Sequence, residues 1–183
     1  MSSVELLELI VLNGLVKGLL FSLLFTALLF IHHFYGPGPE VRDERGKKVI
    51  PPEFKRFVIT ETIVLVVLMI GFGLWANLTL AAQMQESPSF LTYLAQCYAV
   101  LWIVNLWDLV VIDWILVVRF RPAFLELPDT PYFNQIRPHL IGWFKGHLFI
   151  LLPALVTAGL SFLLIPAALS CPLPGFGNSE PAS

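Results

Sequence analysis

Four apolar runs divide the chain, each long enough to cross a hydrocarbon core of roughly 20 helical residues. They predict transmembrane helices at about 9–31, 62–82, 98–118 and 148–169, so the fold class is an all-α, four-helix transmembrane bundle. The stretch YGPGPEVRDERGKKVIPPEFKR, rich in proline, glycine and charge, reads as an exposed loop that ends where the second helix begins near Pro52. The tail 171–183, CPLPGFGNSEPAS, is expected to be disordered for the same compositional reason. The first run does not read as a cleaved signal peptide, since it lacks a basic start, is too long and carries Lys17 in its middle. No internal repeat is evident.

Composition agrees with the pattern. The chain is 57% hydrophobic and 13% charged, with a mean hydropathy of +0.79. A soluble domain of this size has too little interior to hide that much apolar surface. The net charge of −2 gives no reason to expect nucleic acid as a partner; the expected partners are the lipid bilayer and either a second copy of the chain or a larger membrane complex.

Lysine and arginine set the orientation. Arg42, Arg45, Lys47, Lys48, Lys55 and Arg56 follow the first helix, and Arg119, Arg121, Arg137 and Lys145 follow the third, whereas both ends and the loop QMQESPS have none. The positive-inside rule predicts a plasma (inner) membrane protein with loops 32–61 and 119–147 cytoplasmic and both termini extracytoplasmic. Cys97 and Cys171 map near the outer face; a bridge is conceivable, although two cysteines without paired spacing are more often free thiols.

The chemistry lies in residues that are out of place in hydrocarbon. Measured from the cytoplasmic end of the third helix, a rise of 1.5 Å per residue puts Asp108 about 15 Å deep and Asp113 about 8 Å deep. At 100° per residue Tyr98, Asn105, Asp108, Ile112 and Arg119 share a face flanked by Trp102 and Asp113, with Trp107 and Trp114 together on the opposite side. On the first helix Asn13 and Lys17 share a face beside Gly14 and Gly18, a small-xxx-small pair that permits close approach. The expected intramembrane polar site therefore comprises Lys17, Asn105, Asp108 and Asp113, with Lys17 paired to Asp108.

At the cytoplasmic end His32, His33, Glu61, His139, Lys145 and His147 join Asp113 in a band of the types that ligate metals or relay protons. Glu61, His139 and His147 are the candidates for either role, while for His32, His33 and His139 the reading as solvated interfacial residues is favoured over ligation. No HExxH or E-x-x-H spacing selects a metal, and no cofactor is specified. Gly142 and Gly146 read as packing positions, and Pro153 as a kink in the fourth helix.

N-x-x-D-x-x-x-x-D-W in the third helix, then a proline-containing connector and H-x-x-G-x-x-K-G-H, resembles a group of uncharacterised prokaryotic four-helix membrane proteins. The match rests on Asn105, Asp108, Asp113, Trp114, His139 and His147 and covers about the C-terminal half. It implies architecture and no activity.

Three function classes follow. One handles protons, ions or a small solute through the intramembrane polar site. Another is a membrane-embedded, metal-dependent enzyme acting on a lipid-like substrate at the cytoplasmic interface through His147, Asp113 and Glu61, although Ser22 and Cys97 have no base at suitable depth to make them nucleophiles. The third is an accessory subunit whose polar faces mate with another membrane protein. The depth of Asp108 favours the first, because transport sites sit near the midplane.

Overall fold

Serines at two polar boundaries start two of the four long helices. Ser2 caps α1 (Ser3–Tyr35): its hydroxyl accepts from Glu5 N at 3.2 Å while the Glu5 carboxylate accepts from Ser2 N at 2.7 Å, the reciprocal capping box. Ser89 likewise accepts from Thr92 N at the start of α3 (Phe90–Trp107). In the computed structural model, residues 2–36, 51–84, 87–125, 127 and 131–170 are described. The loop with Arg42, Arg45, Lys47 and Lys48, and the tail with Cys171, lie outside the described residues, and with them any Cys97–Cys171 bridge and the expected disordered tail.

A 3-10 turn, Pro52–Phe54, leads into α2 (Lys55–Gln83). α3 continues without a break into a π-helix, Asp108–Phe120, in which Arg121 N donates to the Leu116 carbonyl five residues back at 2.9 Å. Arg121 ends it with a left-handed backbone (φ 44°), a closure more often made by glycine. Its guanidinium donates to the Leu127 carbonyl at 3.3 Å and to Asn134 Oδ1, tying the connector to the short helix α4 (Pro131–Asn134). α5 (Ile136–Ser170) completes the chain and runs on through Pro153 and Pro166. Each long helix outruns its predicted span, because apolar counting finds the hydrocarbon slab whereas a backbone helix continues through the interface until a cap or turn stops it.

α1 packs on α2 and α3, and α5 on the same two; α2 and α3 also touch. The bundle is therefore a rhombus with α2 and α3 across its short diagonal. Glycine sets the α1–α3 distance. A Cβ on Gly14 would stand 2.9 Å from Ala99 Cβ, and one on Gly18 only 2.6 Å from Ile103 Cβ. Phe21, Cys97, Leu101, Val104 and Ala154 form one core layer, and Ala81, Tyr93, Ala158 and Ile165 a second.

The outward faces are apolar on all four long helices: Leu12, Val67, Ile115 and Leu163 are all exposed. Water would be a poor solvent for such a belt, whereas lipid leaves no transfer penalty. All four are long and apolar enough to cross a bilayer, and the chain is a multi-pass integral membrane protein.

Overpacking at the glycine contact gives the first test. Gly18→Ala is expected to destabilise the detergent-solubilised protein by about 1–3 kcal/mol, whereas Gly71→Ala, whose Cβ would meet nothing within 4 Å, leaves thermal unfolding unchanged or slightly raised.

Candidate functional site

The interface between the second half of α3, its π-helical continuation and the first half of α5 gathers most of the polar side chains that the sequence singles out. Close approach makes it possible. A Cβ on Gly146 would lie 2.9 Å from Asn105 Oδ1, so only glycine lets the carboxamide lie flat on α5. Gly142 has open space instead, so packing holds for Gly146 alone. Asn105 Nδ2 donates to the Trp143 carbonyl at 3.4 Å and lies 3.1 Å from His147 Nδ1, which is itself 2.9 Å from that carbonyl. The Trp143 indole meets the His147 ring edge-on at 4.3 Å, and Tyr98 lies against its other side. The face with Tyr98 and Asn105 thus turns into the bundle.

Asp108 follows on the same side. It is half-buried, and no hydrogen bond or ion pair joins it to any described residue. With Asn105 it forms the polar part of a cavity of about 170 Å³ whose other walls include Phe21 and Phe25 of α1, Met69 of α2 and Ile150 of α5. Asp113 lies towards the end shared by the α1–α2 and α3–α5 connections. There its Oδ1 is 2.8 Å from His139 Nδ1, with His139 buried to 3% side-chain exposure and Asp113 at 24%. His139 is therefore a paired interior residue and not a solvated interfacial one.

Lys17 does not pair with Asp108. It is buried on the α2 side of α1, its Nζ 5.1 Å from the centre of the Trp75 ring, a cation–π contact. Asn13, one turn away, donates to the Ala76 carbonyl at 2.9 Å. Both residues therefore serve the α1–α2 contact, while Asp108 opens between α1, α2 and α5. The predicted four-residue site divides into Lys17 with Trp75, Asn105 with His147, and Asp113 with His139, leaving Asp108 at the cavity.

The predicted cytoplasmic band also resolves into pairs. Glu61 Oε2 is 2.5 Å from His32 Nδ1, joining the end of α1 to the beginning of α2. His33 lies against Phe34, and Lys145 is exposed on α5. Glu61, His139 and His147 thus belong to three separate contacts, and among the described residues no three His, Cys, Asp or Glu side chains gather closely enough to hold a metal. The tryptophans separate too: Trp107 Nε1 donates to Thr26 Oγ1 of α1 at 3.0 Å, while Trp114 is exposed.

A buried layer of uncharged polar residues in the half of the bundle nearer the termini was not singled out by the sequence. Asn77 donates to Cys97 Sγ at 3.1 Å and to Ser161 Oγ at 2.7 Å, and Ser161 Oγ donates to the Thr157 carbonyl at 2.8 Å. Gln96 and Tyr93 are fully buried beside this layer, with the Gln96 amide and the Tyr93 hydroxyl unpartnered among the described residues. Tyr93, Gln96, Cys97, Val100 and Val104 recur at helical spacing, a signal that counting charges alone passes over.

No protein-family model, curated protein or solved structure matches the chain. Function therefore rests on this geometry.

The Asp113–His139 contact is open to a double-mutant cycle. Asp113→Asn and His139→Gln, separately and together, are expected to show a coupling of about 1.5–3 kcal/mol in denaturant unfolding, the range for charge-assisted hydrogen bonds; strictly additive losses mean that the two side chains do not interact.

Proposed function

We propose that this integral membrane protein carries a proton or a small cationic solute across the bilayer, binding it at Asp108. The observation that carries the reading is a carboxylate at the middle of a transmembrane helix, without a protein partner among the described residues, facing a cavity. Hydrocarbon makes such a group costly, and ionisable residues held inside membranes mark ion and solute pathways. The neighbours fit the role. Asn105 fixes the cavity wall by its bonds to α5, and the Asp113–His139 pair supplies a second titratable station nearer one end. Exchange of a charge between Asp108 and this pair joins the cavity to that end of the bundle.

The lysine and arginine distribution supports an inner-membrane orientation in which that end faces the cytoplasm and both termini lie outside. Cysteines introduced singly by Glu44→Cys and Ser179→Cys, in a Cys171→Ser background, test it. A membrane-impermeant maleimide applied to intact cells is expected to label position 179 and spare position 44 until the cells are lysed; the reverse pattern inverts the topology.

Transport is tested in proteoliposomes. Purified wild-type protein is expected to collapse an imposed pH gradient when a permeant counter-ion or a cationic solute is supplied, and Asp108→Asn to reduce the rate to that of protein-free vesicles while folding normally. An Asp108→Asn protein that matches wild type sinks the reading. Loss of folding or assembly with no flux in either protein points to a subunit of a larger complex.

A further inference from the structure

We infer that the solute held at Asp108 is a small organic ammonium compound, an inference that rests on the carrier reading above. The walls of the cavity carry the argument. They present one free carboxylate and the Asn105 carboxamide, and beyond these only apolar side chains, among them Phe21, Phe25, Leu65 and Met69. A hard metal cation stripped of water needs about six or more oxygen ligands; this lining offers the two Asp108 oxygens and an amide whose nitrogen is already engaged by α5. A proton needs no cavity at all. The space is about 170 Å³, close to the roughly 150 Å³ apolar cavity that accepts a benzene molecule.

An amine of that size satisfies every wall at once. Its ammonium group pairs with and donates to the Asp108 carboxylate, so that neither charge is buried alone. Its alkyl part lies on the apolar side chains of Phe21, Phe25, Leu65 and Met69. Asp108 stands well inside its helix, 12 residues from Phe120; the source assigned is a free amine, which a soluble probe supplies without any lipid headgroup.

The test compares two nearly isosteric probes, tert-butylammonium and tert-butanol, by titration calorimetry on the detergent-solubilised full chain in excess potassium chloride. Wild type is expected to bind the ammonium at least about tenfold more tightly than the alcohol, and Asp108→Asn to lose that preference while binding the alcohol as before. Retained alcohol binding reports that the variant still has its cavity. The inference is overturned if folded wild type does not bind the ammonium, if excess potassium abolishes its binding, or if Asp108→Asn binds it as tightly as wild type. Flux separates the two readings. Ammonium binding with no coupled proton movement in vesicles leaves the site assignment standing and removes the carrier. Proton flux through Asp108 with no ammonium binding removes the assignment alone.

Discussion

Hydrocarbon offers no hydrogen bond, so each polar group inside a transmembrane bundle must find its partner within the protein. The described helices meet this demand largely through short relays. Ser22 Oγ donates to the Gly18 carbonyl, Thr26 Oγ1 to the Ser22 carbonyl, and Trp107 Nε1 to Thr26 Oγ1, a ladder that climbs α1 and crosses to α3 about two turns beyond Gly18. The contact and the ladder depend on each other. Gly14 and Gly18 bring the backbones close, and the indole bond then fixes the rotation of α3 about its axis. Asn77, Ser161 and Thr157 perform the same service between α2 and α5. The Gln96 amide, the Tyr93 hydroxyl and Asp108 stand outside these relays, and of the three only Asp108 is ionisable in the ordinary range and opens on the cavity.

Bulk physics was legible in the sequence. Apolar length and composition are enough to specify four spans, since the bilayer imposes one strong requirement on every segment that crosses it. Shared faces were legible where the helix is α: Tyr98 and Asn105 do meet the same partner, His147. Pairing across helices was not. Depth placed Lys17 and Asp108 within reach of each other, but depth leaves rotation about α1 undetermined, and α1 turns Asn13 and Lys17 towards Ala76 and Trp75. A lysine stem lying on an indole face also removes the need for a carboxylate that a charge count assumes. Asn77, Gln96 and Tyr93 escaped notice for a related reason. They carry no charge, yet a buried carboxamide or hydroxyl in a membrane also needs a partner.

The π-helical continuation of α3 changes the meaning of the spacing between the aspartates. In an α-helix, residues five apart diverge by about 140°, which put Asp113 on the flank of the polar face and Trp107 with Trp114 on the other side. Closing the backbone over five residues turns each step by less, so Asp108 and Asp113 come nearer to one row, while the phase lag carries Trp114 away from Trp107. Asp113 then meets His139 near the start of α5, while Asp108 reaches the cavity walled by α1, α2 and α5.

That arrangement departs from the regular α-helical backbone over 13 residues. Its effect is to bring the two carboxylates near one row of the helix while leaving each its own surroundings. Along that row Asp113 is met by the His139 imidazole at 2.8 Å, whereas Asp108 is met by no described side chain and opens on the cavity.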